Sequence, residues 1–141
     1  MAECLFCRIV AGDLDAHVVF DDESCLGFLD RRPLFAGHTL VIPKDHHETL
    51  VDLPVELVPV VFGRAREVAG VMETTLGAAG SFVAVNNRIS QSVPHLHVHV
   101  VPRNPKDGLR GFFWPRTRYA DDAEMAAVAA QLRAAVEATD S

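Results

Sequence analysis

His95-Leu96-His97-Val98-His99-Val100-Val101-Pro102-Arg103 is the stretch on which the reading of this chain turns. Histidine recurs at every second position, with Leu96, Val98 and Val100 between. Alternation at period two predicts a strand with two unlike faces. Leu96, Val98 and Val100 would face a core, and His95, His97 and His99 would line the opposite face. Pro102, which has no N–H for the ladder, is expected to end the strand. A single histidine on a strand is ordinarily a polar residue on a wet face, but three in register need another reason. One is metal binding, since His-x-His on a strand is a common way to hold zinc. At about 3.3 Å per residue, however, the backbones of His95 and His99 lie roughly 13 Å apart. One ion can take two neighbours of the row, leaving at least one imidazole for chemistry as nucleophile, acid or base.

The chain has 141 residues, 49% of them apolar, which suits a single folded domain, 1–141, with a substantial core. Its net charge of −6 argues against general binding to a nucleic-acid polymer. A local group of histidines and arginines can still bind a small anion. The start, Met1-Ala2-Glu3-Cys4, lacks the basic and apolar regions of a secretory signal. No apolar run approaches the roughly 20 residues needed to span a bilayer, so the expected location is the cytoplasm, with no membrane partner. Three cysteines, an odd number, fit a reducing compartment better than a disulfide scaffold.

Cys4-Leu5-Phe6-Cys7 has three ordinary readings: half a zinc site, a redox couple, or coincidence. Redox ranks last, because no strand precedes the pair. Val18-Val19-Phe20 and Cys25-Leu26-Gly27-Phe28-Leu29 predict two strands joined by a turn at Asp21-Asp22-Glu23-Ser24. Asp30, at the end of the second, could bridge ribose hydroxyls or simply begin a turn. A third strand runs from Gly37 through His38 to Lys44, and His46-His47 follow it. From Asp52 to Gly77 the pattern is helical, with Asp52 as N-cap and Gly77 as stop. Val58, Val61, Phe62, Ala65, Val68, Ala69 and Met72 form its apolar stripe. Pro59 is unsuited to a helix interior, so the regular helix should start or bend there. Ser81–Asn86 predicts a fourth strand, antiparallel to the histidine strand across a polar loop carrying Gln91 and Ser92. Asp121 and Asp122 cap a last helix whose stripe, from Met125 to Val136, should serve packing. The aromatic group Phe112-Phe113-Trp114 before it suits a subunit contact, a cover over a ligand, or core filling.

Taken together, these residues resemble the histidine triad (HIT) proteins. The resemblance rests on Cys4-Leu5-Phe6-Cys7, the strand end Phe28-Leu29-Asp30, the run Gly37-His38-Thr39-Leu40-Val41-Ile42-Pro43-Lys44, and His95 to Arg103 preceded by Gln91-Ser92-Val93. It implies an α+β fold: a five-stranded antiparallel sheet with a packed central helix and a C-terminal helix. It also implies a homodimer, and a hydrolase that cleaves a purine nucleotide at its α-phosphate. Dinucleoside polyphosphates and nucleoside phosphoramidates are the substrate classes implied.

By the same resemblance His97 is the nucleophile that forms a nucleotidyl-histidine intermediate. His99 holds phosphate oxygens, and His38 stands beside the triad. Gln91, Ser92 and Asn86 match phosphate-side positions, while Asp30 matches the ribose-binding carboxylate and Phe28 the nucleotide pocket. Cys4, Cys7, His46 and His95 match a structural zinc site. The loop Asn87-Arg88-Ile89-Ser90 departs from the family, which often carries glycines there. Two alternatives stand beside the hydrolase: a nucleotidyl transferase or phosphorylase, and a nucleotide-binding regulatory module with little turnover. His99 favours hydrolysis, because the sugar-phosphate transferase branch typically has glutamine at that position. Activity carried by neutral imidazoles should fall in acid.

Overall fold

The computed structural model describes residues 4–110 and 115–139. The chain divides into two compact units, Met1–Asp107 and Gly108–Ser141. The first holds a five-stranded sheet in the order β1-β2-β3-β5-β4, built from Val18–Asp21, Cys25–Leu29, Thr39–Pro43, Gly80–Ala84 and Val98–Arg103 as β1 to β5. Every neighbouring pair is antiparallel.

Alternation along β2 and β3 separates two cores. Cys25, Val41, Val98 and Val100 share one cluster with the long helix α2, Val58–Leu76, through Val61, Ala65, Val68 and Met72. Each valine or methionine among them, fully buried, contributes about 1.5–3 kcal/mol. Leu26, Phe28, Leu40 and Ile42 form the other cluster with Phe6 of α1, Leu5–Val10. Gly27 has no side chain because the Phe20 ring lies over it: a Cβ there would stand 2.3 Å from the ring.

The helix begins where Pro59 predicts. A 3-10 turn at Val55–Leu57 precedes it, Pro59 occupies its first turn, and Gly77 ends it in the left-handed region at φ 70°. Asp52 is not its N-cap. Its carboxylate accepts from the backbone N–H and hydroxyl of Thr49 and closes a turn before the helix.

The histidine strand is shorter than the alternation predicts. β5 starts at Val98, with Val98 opposite Val41 on β3. The next places along β3 lead to Pro43, which has no N–H to offer. His95, Leu96 and His97 leave the ladder instead: the Leu96 N–H bonds the His47 carbonyl at 2.7 Å. Pro102 does not end the strand either; it pairs opposite Ser81. β3 accompanies β5 only as far as Val100, so the missing N–H removes no bond on that side.

In the second unit α3 spans Asp122–Thr139, and the Asp121 carboxylate accepts the Glu124 N–H at 2.8 Å. None of its residues is fully buried: Val128 is half-buried, and Met125, Leu132 and Val136 are exposed. Phe112-Phe113-Trp114 lies outside the described residues.

Candidate functional site

Two clusters grow from the row of histidines, one on each side of Phe6. Its ring meets His95, His97 and Phe28 edge-on, at centroid distances of 5.9, 5.1 and 5.3 Å. The face that the alternation alone would leave wet is thus covered by α1, and His95 and His97 are buried.

The first cluster joins Cys4, Cys7, His46 and His95, whose ligand atoms all lie within 4.8 Å of one another. The Cys4 and Cys7 thiols stand 3.3 and 3.6 Å from His95 Nδ1, and Cys7 is 3.3 Å from His46 Nδ1. A tetrahedral zinc with Zn–S of about 2.3 Å and Zn–N of about 2.0 Å needs S···N separations of about 3.5 Å. The orientation fits as well. His95 Nε2–H donates to the Pro43 carbonyl at 2.8 Å, which leaves Nδ1 bare and aimed at the thiols. Burial holds His95 down to about 4, so this nitrogen stays unprotonated. Burial, with the Cys4 thiol beside it, pushes the Cys7 thiol up to about 11, a penalty that a coordinated cation removes.

The second cluster contains His38, His97, His99 and Asp30, and backbone groups dictate its protonation. His97 Nδ1 lies 2.7 Å from the His95 carbonyl, which can only accept. The proton therefore sits on Nδ1, and Nε2 presents a lone pair. The Leu34 N–H donates to His38 Nδ1 at 3.0 Å, so His38 carries its proton on Nε2. That proton is donated to His99 Nδ1, also at 3.0 Å, leaving His99 with Nε2–H. One backbone amide thus sets two rings. Burial lowers the pKa of His38, against the pull of Asp30. Burial, aided by His97 and His38, holds His99 down to about 4.

Asp30, His38 and His99 also have the spacing of a metal site. The tautomers argue against it. A cation on His38 Nε2 would have to displace the proton from a ring whose Nδ1 already accepts Leu34, leaving an imidazolate. This group is better described as a hydrogen-bonded chain.

His97 and His99 open into a cavity of about 390 Å³ between α1 and β2. Phe28, Asp30 and Ser92 line it with them, as do Phe6, Ile9 and Leu14. Asp30 begins a turn by accepting the Arg32 N–H at 2.9 Å, and it also lines the cavity. Gln91 does not line it. Its amide donates to the Glu48 carbonyl at 2.7 Å and accepts the Arg88 N–H at 2.8 Å, which fastens the loop. Asn86, just past β4, lies outside the lining too. In that loop Arg88 and Ser90 adopt φ of 69° and 62°, the region glycine prefers.

Sequence reasoning did not single out Phe6, His17 or Arg31 as pocket residues. Phe6 had a signal, a large aromatic between two cysteines in the motif. Arg31, directly after Asp30, had only its position.

Residues 11–106 match the family model of the HIT domain. A Bacillus subtilis HIT protein is 37% identical over 121 residues, covering 84% of this chain and 82% of its own. An adenylylsulfatase of Arabidopsis thaliana is 32% identical over 109 residues, covering 76% of this chain and 55% of its own. Among solved structures, a zinc-bound histidine triad protein of Mycobacterium smegmatis superposes with a TM-score of 0.73 at 38% identity, over 94% of this chain and 97% of its own.

Proposed function

This chain belongs to the HIT family, and from that premise we propose that it is a hydrolase cleaving a purine nucleotide at its α-phosphate through His97. The observation that carries the reading is the bond from His97 Nδ1–H to the His95 carbonyl, which leaves the buried Nε2 as a ready lone pair facing the cavity. The relation to an adenylylsulfatase supports the same chemistry at a nucleotide α-phosphate.

In this reading His97 Nε2 attacks phosphorus, and the bond to the leaving group breaks as the P–N bond forms. Water then attacks the same phosphorus, releasing a nucleoside monophosphate and restoring His97. Two steps replace one difficult step. Negative charge grows on the phosphate oxygens in both. His99 Nε2–H and the Ser92 hydroxyl are the fixed donors that stabilise it, and His38 holds His99 in place. Asp30 takes the ribose hydroxyls, Phe28 and Phe6 the apolar part of the nucleotide. Gln91 acts by fastening the loop that carries Ser92, and Asn86 lies at that loop's start. Dinucleoside polyphosphates and nucleoside phosphoramidates are the substrates proposed.

Cys4, Cys7, His46 and His95 would hold one structural zinc ion, which supplies a rigid anchor and no step of the reaction. The zinc-bound relative and the fit of the four ligands support this. The whole chain is taken as one HIT domain that works as a cytoplasmic homodimer. β4 at the sheet edge, with Val83 exposed, is suited to extending the sheet into a second subunit. Among the described residues no helix is long and apolar enough to cross a membrane.

A panel of dinucleoside polyphosphates and nucleoside phosphoramidates, run with wild type and His97→Ala, tests the reading. Turnover should fall by orders of magnitude in the variant while a mononucleotide still binds. Retained turnover would refute it. A wild type that binds AMP but cleaves nothing would favour the regulatory-module alternative.

A further inference from the structure

The nucleotide cavity has two unlike ends. At one stand His97, His99 and Ser92, with the chemistry described above. The middle is apolar, formed by Phe6, Ile9, Leu14 and Phe28. At the other end the connection from α1 to β1 meets the residues after β2, and the lining turns polar again through Asp15, His17 and Arg31. Arg31 is held over this end by its own contact, Nη2 to the Asp15 carbonyl at 3.4 Å.

The order of groups matches the order of parts in a nucleotide. A phosphate at His97 and His99 places the ribose at Asp30, which lies 3.7 Å from His38 Nε2. A base continuing in the same direction enters the apolar middle of the cavity and lies against Phe6, Ile9, Leu14 and Phe28. Its outer edge then arrives at Arg31 and Asp15. An apolar slot holds any base by its flat faces and does not distinguish them. The polar end can distinguish them.

A guanidinium offers five N–H donors and no acceptor, and a carboxylate offers acceptors only. Guanine presents O6 and N7 as adjacent acceptors, the pair that arginine bonds in bidentate fashion. Its N1–H and exocyclic amine are donors suited to a carboxylate. Adenine places an amino donor where guanine has O6, so its edge sets donor against donor at Arg31. We propose that Arg31, with Asp15 beside it, reads the base edge and makes this site selective for guanine over adenine nucleotides. The proposal rests on the nucleotide reading of the cavity and adds the base to it.

Both groups sit at the solvent side of the cavity, where hydrogen bonds compete with water. A preference on the order of tenfold is therefore expected, the lower end of what a bidentate base contact confers. The test is calorimetric titration of the full zinc-supplemented chain with GMP, IMP and AMP, in wild type, Arg31→Ala and Asp15→Ala. Wild type should bind GMP about tenfold more tightly than AMP. IMP, which keeps O6 and N7 but lacks the exocyclic amine, should stay on the GMP side of AMP. Arg31→Ala should weaken GMP and IMP to the AMP level and leave AMP unchanged. Asp15→Ala should weaken GMP most, IMP less through its remaining N1–H, and AMP not at all. Equal affinity for GMP and AMP in wild type, or a preference that survives Arg31→Ala, overturns the proposal while the nucleotide reading stands. Binding of none of the three overturns both.

Discussion

Replacing His38 by alanine tests whether the chain of tautomers works as described. His38 is 3% exposed and stands between the Leu34 amide and His99, with 3.0 Å to each. Its removal leaves the Leu34 N–H without its acceptor, which costs about 1 kcal/mol at a site that water can partly reach. The space of the lost ring adds about 1–2 kcal/mol. A loss of roughly 2–3 kcal/mol of stability should follow, visible in urea denaturation. The catalytic effect is separate. His99 keeps its ring but loses the donor on Nδ1, which in the proposed reaction orients Nε2–H towards the phosphate. Outright removal of one such oriented donor costs about 100- to 1000-fold in turnover, so a loosened one should cost about 10- to 100-fold. Water entering the vacated space also relieves the burial that holds His99 near 4, so the acid limb of the rate profile should move upward. His38→Gln supplies the decisive comparison. Its carbonyl oxygen can accept the Leu34 N–H and its amide can donate to His99, reproducing both bonds without a titratable ring. Turnover should recover substantially in the glutamine variant. The tautomer argument fails if His38→Ala keeps turnover within about twofold of wild type with an unmoved acid limb, or if glutamine is no better than alanine.

Three further outcomes are expected. His99 has its folded pKa held down to about 4, against an ordinary 6.5, and that of His38 is also lowered. The unfolded chain therefore binds more protons in acid, so stability present above pH 6.5 is lost as the pH falls towards 4, by roughly 1–2 kcal/mol after allowing for solvent screening; urea midpoints equal at pH 7 and pH 4.5 would contradict this. Protein purified without chelator should carry about one zinc per chain by elemental analysis, and stripping the metal or making Cys7→Ser should lower the melting temperature and weaken mononucleotide binding, because Leu5, Phe6 and Ile9 of the same short helix line the cavity; unchanged affinity in metal-free protein would separate the two sites. Gly27→Ala puts a Cβ 2.3 Å from the Phe20 ring, so thermal denaturation should show a loss of about 1–3 kcal/mol with mononucleotide affinity retained, and a neutral result would mean that Phe20 moves aside freely.

The sheet and its helix were legible in the sequence because they follow from local periodicity. Cys25–Leu29 alternates apolar residues between two cores, and Val61, Ala65, Val68 and Met72 repeat at helical spacing up to Gly77. Pro59 marks the start of the regular helix for the same local reason, a ring that cannot sit inside it. The histidine row announced chemistry by residue type alone. Division of labour within the row was another matter. His95, His97 and His99 are equivalent in an alternating pattern, and only the partners that the folded chain brings to each ring distinguish them. The Pro43 carbonyl turns His95 Nδ1 towards the cysteine thiols, the His95 carbonyl aims His97, and Leu34 acts on His99 through His38. Even the end of the strand was decided this way, since Pro102 matters to the ladder only if a neighbour is there to bond it. Periodicity carries the direction in which a side chain leaves the backbone. The tautomer of a ring and the target of its lone pair depend on which donors and acceptors the folded chain brings within 3 Å, and those belong to the tertiary structure.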